Sequence, residues 1–310
     1  LSDKDLITKT IKTNAIDYVF HIAANISVTA NYEEMYHTNV IGTKNMLEAF
    51  SDGNAAVFIY ASTIGVYDNF LKEKRKYVVD ENSKIGPLDG EPYPITKRLA
   101  EGLVFYYAET KKDCSFIITR LSPIVGPGDW QTIPSMVKAF SRRFIPKLID
   151  QGKDLFCVTA PLDVARAQVF LAENAEKHSG EAFNIAQEPI SYKEIFKVIA
   201  DYYGRPHPRF SIPYWLFKAI IPFVRFLHKL FPKMELLKIA LSPTCLNYLG
   251  KSYIYKSDKL KSLGFEFSVS PRAAIMDCLK HFDPHRELVK PGKNIDKTIR
   301  KDTSITLSQS

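Results

Sequence analysis

The stretch AAVFIYAST, residues 55–63, decides the fold: seven apolar residues are closed by Ser62 and Thr63. An apolar run of this length without polar alternation reads as a strand covered on both faces. Upstream, Asp17-Tyr18-Val19-Phe20-His21-Ile22-Ala23-Ala24 reads as a second buried strand that runs into small residues. Between the two, 31–50 reads as a long helix. Residues 3–14 read as the end of an earlier one, with Leu6, Ile7 and Ile11 at helical spacing. Downstream, 94–110 reads as a helix and Ser115–Leu121 as a third strand. Strands that alternate with helices of this length imply crossover connections, hence an α/β fold with a parallel sheet.

After Asp129 the texture changes, with shorter segments and more frequent prolines. Leu155–Ala160 reads as an isolated strand, Asp163–Asn174 as a helix and Ala182–Ala186 as a short strand. Ser191 and Glu194 have the spacing of a capping box at the start of another helix. Residues 212–240 are strongly apolar but interrupted by Pro213, Pro222 and Pro232, and 271–282 read as a last helix. From about 286 the chain is polar and basic, the composition of a disordered tail.

The 310 residues are 45% hydrophobic and 25% charged, ordinary for a globular protein with an ample core. The net charge of +8 is spread out, with no dense basic stripe or nucleic-acid-binding motif, so nucleic acid is not an expected partner. Cys114, Cys157, Cys245 and Cys278 lie far apart without a CxxC pair, which argues against a zinc site or a disulfide scaffold. Cys114 and Cys157 read as buried thiols, and a reducing, cytoplasmic setting follows. The seven histidines are scattered. His281 and His285 are at helical spacing without a third ligand nearby, so no metal site is expected.

Tyr93-Pro94-Ile95-Thr96-Lys97 carries the chemistry. Four residues apart on a helix, Tyr93 and Lys97 share one face. Pro94 is tolerated only in the first turn, which puts Tyr93 at the helix mouth. A phenol titrates near 10, too high for a base at neutral pH, and a neighbouring ammonium favours its phenolate. Such a pair can take the proton of an alcohol while hydride leaves its carbon. Ser62 and Thr63 end a strand, and ligands of open parallel sheets bind beyond the carboxyl ends of strands. A hydroxyl there can hold the reacting oxygen against Tyr93. His21-Ile22-Ala23-Ala24 and Gly126-Pro127-Gly128-Asp129 follow two further strands with small residues.

The segments DYVFHIAA (17–24), TNVIGTKNMLEA (38–49), YASTIGVY (60–67), YPITKRLAE (93–101), TRLSPIVGPGD (119–129), PLDVARAQVFLAE (161–173) and EAFNIA (181–186) together resemble an extended short-chain dehydrogenase/reductase. The resemblance implies a Rossmann-like doubly wound parallel sheet, with NAD or NADP as cofactor and a smaller C-terminal substrate-binding domain. It makes 1–150 the remainder of the dinucleotide-binding domain, with 161–176 packing back on it. Residues 151–285 become mainly the substrate domain and 286–310 the tail. By the same resemblance Tyr93 is the acid/base, and Lys97 binds the nicotinamide ribose and lowers the tyrosine pKa. Thr63, with Ser62 as the alternative, orients the substrate oxygen. Ala23 and Ala24 line the cofactor cleft, Asn39 supports the site, and Pro123 and Val125 lie near the nicotinamide. The family's opening strand and GxxGxxG turn are absent from these residues. The resemblance therefore implies an N-terminally truncated sheet with an exposed flank, weak cofactor binding and no sign of the choice between NAD and NADP. Asp68 stands where relatives carry Gly.

Within the superfamily, YASTIGV and YPITKRLAE are most similar to the 3β-hydroxysteroid dehydrogenase-like branch, as are 211–232 and 241–267. An apolar lid suits a small hydrophobic, sterol-like alcohol or ketone. A nucleotide-sugar epimerase/dehydratase, with Arg205, Arg209 and Lys251 for a diphosphate, is the alternative, and a non-catalytic remnant is another. The 212–240 segment is too broken for a membrane span. It reads first as buried substrate-domain helices and second as peripheral membrane contact, with Lys218, Arg225, Lys229 and Lys233 near headgroups and Trp215, Phe217, Phe223 and Phe226 in the acyl boundary. The 31–50 and 94–110 helices imply a homodimer interface by the same resemblance.

Overall fold

The computed structural model describes residues 1–27, 30–67, 75–141, 148–232, 234, 237, 241 and 249–282. Asp68, Lys233, Cys245, His285 and the tail from 286 lie outside the described residues. In chain order the elements are α1 (Lys4–Thr13), β1 (Tyr18–His21), α2 (Tyr32–Tyr36), a π-helical turn (His37–Ile41), α3 (Gly42–Gly53), β2 (Val57–Thr63), β3 (Lys76–Val79), α4 (Pro92–Thr110), β4 (Ser115–Leu121), α5 (Thr132–Ser141), β5 (Leu148–Ile149), β6 (Leu155–Phe156), α6 (Pro161–Glu173), α7 (Ala175–His178), β7 (Glu181–Ile185), β8 (Ile190–Ser191), α8 (Tyr192–Tyr202), β9 (Ser211–Ile212), α9 (Tyr214–Leu230) and β10 (Ser252–Tyr255), followed by helices Asp258–Ser262 and Pro271–His281.

The chain divides into two compact units: 1–124 with 155–189 and 251–271, and 125–154 with 190–250 and 272–310. The first contains a parallel sheet in the order β1-β2-β4-β7. β2 and β4 are buried along all but their last residue because helices cover both faces, whereas β1, read from the sequence as buried, is exposed at Tyr18 and Phe20 and buried only at His21. Alternation sends Phe58 and Tyr60 of β2 to one face, where they pack with Phe116 of β4, Leu47 and Phe50 of α3 and Val104 of α4. Val57 and Ile59 point the other way, against Leu171 of α6, Phe183 of β7 and Leu260. This is the Rossmann-like arrangement that the strand and helix pattern implies. The lone strand read at 155–160 is shorter, ending at Phe156, and Cys157 beyond it is a buried thiol while Cys114 is half-buried.

Two features of this unit have no counterpart in the sequence reading. β3 pairs in parallel with β10, Tyr77 stacking on Tyr253 with ring centroids 4.9 Å apart. Asp163, fully buried in the first turn of α6, accepts from the Ser268 amide and hydroxyl, the Val269 amide and Arg166. Burial works to raise its pKa, but those hydrogen bonds outweigh it and hold the carboxyl below its usual range.

In the second unit Ser191 caps α8 by accepting from the Glu194 amide at 3.1 Å, half of the expected capping box. Phe140 of α5 stacks on Phe196 of α8 with centroids 6.1 Å apart. Over Tyr214–Leu230, α9 corrects the first reading of 212–240 as buried helices, while Leu237 is buried and 233, 235, 236 and 238–240 lie outside the described residues. The helix forms, with Pro222 inside it, but none of its residues is buried. Among the described residues no helix is long and apolar enough to cross a membrane.

Candidate active site

The candidate groups come from the carboxyl end of β2 and the first turns of α4. Ser62 and Thr63 are the last residues of β2, paired with Arg120 and Leu121 of β4. Thr63 also caps the short turn Ile64–Val66, its Oγ1 accepting from the Gly65 amide at 3.1 Å. Ser62 lies on the Tyr60 side of the strand, and its buried Oγ has no hydrogen-bond partner in the structure. A buried hydroxyl without a partner costs free energy, and at a strand end it is also a group ready for a ligand.

α4 opens Pro92-Tyr93-Pro94. Both prolines sit in the first turn, where an amide would have no intrahelical acceptor, so neither breaks a bond. Tyr93 is therefore at the helix mouth, and Lys97 lies one turn on along the same face. Lys97 is only 2% exposed, with its ammonium 4.2 Å from the centroid of the Tyr60 ring. Burial drives its pKa down to about 7, opposed by Glu101 one turn further along. Burial also pushes the Tyr93 phenol up to about 12, with hydrogen bonding to Thr63 opposing it. The net shift is therefore upward, against the lowering that the resemblance implies. In the chain by itself, desolvation of the phenolate wins, and Thr63 is the group that favours it.

Asn39, 1% exposed, holds the frame. Its Oδ1 accepts from the Asn25 amide at 2.6 Å, and its Nδ2 donates to the Asn25 carbonyl at 3.0 Å and to Thr96 Oγ1 at 3.1 Å. Thr96 Oγ1 in turn donates to the Tyr93 carbonyl at 3.0 Å. One side chain thus ties the loop after β1 to the first turn of α4. Asn39 sits in the π-helical turn, a local irregularity frequent at functional sites. Thr43 donates to the Asn39 carbonyl at 2.6 Å, so towards His21 Nε2, 2.8 Å away, its hydroxyl must accept. That fixes the proton of His21 on Nε2 and leaves buried Nδ1 bare. Burial, and then Lys97, lower the His21 pKa to about 3.

Behind the site, Glu101 and Arg120 form a buried two-bond pair, Nε to Oε1 at 3.1 Å and Nη2 to Oε2 at 2.9 Å. Arg120 Nη1 also donates to the Tyr67 hydroxyl at 3.0 Å, which donates to Asn184 Oδ1 at 2.7 Å. No motif marks Arg120 in the sequence, but its place inside a buried strand does: an arginine there needs a charge partner.

Ala23, exposed, and Ala24, half-buried, follow the end of β1 directly before Asn25. Pro123, half-buried past the end of β4, accepts from the Thr159 amide at 2.9 Å. Val125 is fully buried and belongs to the second unit. The structure therefore brings Ser62, Thr63, Tyr93, Lys97 and Asn39 to one end of the first unit's sheet, with Ala23, Ala24 and Pro123 following neighbouring strands. These residues fit the nicotinamide-ribose half of a dinucleotide: an ammonium and a phenol on one helix face, a hydroxyl without a partner, and alanines that leave the backbone open. The described residues offer no glycine-rich turn for a pyrophosphate.

Residues 1–186, more than half of the chain, match the family model described as the NAD dependent epimerase/dehydratase family. The chain is 27% identical over 302 residues to 3beta-hydroxysteroid-dehydrogenase/decarboxylase isoform 1 of Arabidopsis thaliana, covering 94% of this chain and 68% of that protein. It is 28% identical to isoform 2 from the same plant over 86% of this chain and 48% of the relative, so it spans about half the length of that protein. The sterol-4-alpha-carboxylate 3-dehydrogenase, decarboxylating, of Bos taurus is 26% identical, covering 88% of this chain and 78% of the relative. Among solved structures, UDP-glucose 4-epimerase with UDP-glucose from Thermotoga maritima superposes with a TM-score of 0.65 at 20% identity, over 92% of this chain and 83% of that one. dTDP-glucose 4,6-dehydratase from Bacillus anthracis in complex with NAD gives 0.64 at 19% identity, over 90% and 76%. At these identities the two solved structures speak to the fold.

Proposed function

This chain belongs to the NAD dependent epimerase/dehydratase family, and we propose that within it the chain interconverts a secondary alcohol and a ketone on a hydrophobic, sterol-like substrate. The observation that carries the chemistry is half-buried Tyr93 and buried Lys97 on one face of α4, beside Thr63 at the end of β2. The substrate class is supported by the dehydrogenases of sterols and hydroxysteroids among the relatives.

Bound NAD would supply the hydride acceptor for the alcohol carbon, and its positive ring would favour the phenolate. Thr63 hydrogen-bonds the substrate oxygen and holds it against Tyr93. In oxidation the Tyr93 oxygen takes the hydroxyl proton as the carbonyl forms; in reduction it returns that proton to the carbonyl oxygen. Burial pushes the Tyr93 pKa up to about 12, so in the chain alone the phenol holds its proton. Lys97, as the ammonium, binds the ribose hydroxyls and supplies the field that helps the phenolate form. Asn39 holds the loop before which Ala23 and Ala24 lie open to the cofactor.

The test is turnover of 3β-hydroxysterols and, separately, of UDP-sugars, followed by NADH fluorescence. Tyr93→Phe should lower kcat by about 10²–10⁴ with little change in the KM for NAD. Lys97→Ala should raise that KM and lower kcat together. A Tyr93→Phe chain that keeps its kcat overturns the proposed role of Tyr93, and turnover confined to UDP-sugars overturns the substrate class.

A further inference from the structure

We propose that α9 docks this chain on an anionic lipid surface, lying in the plane of the bilayer with its outer face in the acyl boundary. Trp215, Phe223, Phe226 and Leu230 are 69%, 60%, 57% and 56% exposed. At 100° per residue they fall, together with Ala219 and Pro222, within an arc of about 100°, so they form one continuous apolar stripe. Phe210, Phe231 and Met234, at 81%, 58% and 50%, extend the exposed apolar surface at both ends. Scattered apolar residues on a surface need no explanation, but a contiguous aromatic stripe marks an interaction site.

Charge identifies the occupant. Lys218, Arg225 and Lys229 run along one edge of that stripe, seven and four residues apart. Residues 202–234 contain six Lys or Arg and no Asp or Glu. Long basic side chains at the edge of an apolar face place their stems along the hydrocarbon and their heads among phosphates. A second copy would bring the same basic row against itself, whereas anionic headgroups complement it. At 17 residues α9 is about 25 Å long, short of the ~30 Å hydrocarbon core, and its cations also exclude a span. The docking concerns α9 alone and is independent of the reaction proposed above.

The chain has two tryptophans, so Trp130→Phe leaves Trp215 as the only one. With vesicles of phosphatidylcholine plus phosphatidylserine, Trp215 emission should shift to the blue and be quenched by brominated acyl chains. Binding should weaken as salt rises and be much weaker on phosphatidylcholine alone. R225Q/K229Q should lose about thirtyfold in partitioning, at ~1 kcal/mol per basic residue and 1.4 kcal/mol per tenfold. F223S/F226S should abolish the blue shift with the far-ultraviolet spectrum unchanged. A folded chain that ignores anionic vesicles, or one whose binding survives both double variants, overturns the proposal. So does binding to an acidic protein surface without binding to the vesicles.

Discussion

β2 and α9 are both aromatic-rich apolar segments, and they end in opposite places. β2, seven residues from Val57 to Thr63, is buried at every position but Thr63. α9, 17 residues from Tyr214 to Leu230, buries none. The difference is not hydrophobicity but what the rest of the segment allows. β2 has no charge and can be covered on both faces, by α3 and α4 on one side and α6 on the other. α9 carries Lys218, Arg225 and Lys229 at spacings that keep one flank in contact with water. A charged row along a helix sets a limit to its burial that the apolar count does not reveal.

The comparison can be broken at several points. Phe58→Ala in β2 should cost about 3–5 kcal/mol in a denaturant titration, because it opens a cavity between Phe50 and Phe116. Arg120→Met should cost a similar ~3–5 kcal/mol by leaving Glu101 charged and buried alone, and Arg120→Met/Glu101→Leu should recover much of it. Asp163→Asn should cost about 1–3 kcal/mol. The Asp163 pKa is lowered on folding. Its contribution is therefore complete above the ordinary value of 3.8 and is lost as pH falls through the lower folded one, so the asparagine variant should lose that acid slope. His21 also titrates lower when folded, at about 3 against an ordinary 6.5. The unfolded chain takes up its proton first, so stability should decline from about pH 6.5 towards 3, and His21→Gln should flatten that decline. At the small end, Phe223→Ala on α9 should change stability by no more than about 0.5 kcal/mol. A cost near that of Phe58→Ala would mean that α9 packs like β2.

The sheet was legible because its strands are continuous apolar runs and the helices between them keep a helical period. Tyr93 and Lys97 were legible because their relation is local, four residues on one helix. The frame around them was not. Asn39 and Thr96 meet across 57 positions, and Tyr67 and Asn184 across 117, so no short window holds both partners. The π-helical turn carrying Asn39 has no compositional mark. The raised pKa of Tyr93 was missed for a different reason: spacing reports the neighbouring ammonium but not the depth of burial, and burial is the larger effect here. The 212–240 segment allows two readings, buried helices and an interfacial helix edged by cations; its apolar count favours the first, whereas α9 buries none of its residues.

The most direct test of the site is titration of NADH fluorescence with the folded chain, Tyr93→Phe and Lys97→Ala. Saturable binding is expected, nearly unchanged by Tyr93→Phe, whose hydroxyl has its proposed role on the substrate, and clearly weakened by Lys97→Ala, whose ammonium is the proposed partner of the ribose. Absence of saturable binding by the folded chain, or a Lys97→Ala chain that binds as tightly as the parent, would contradict it.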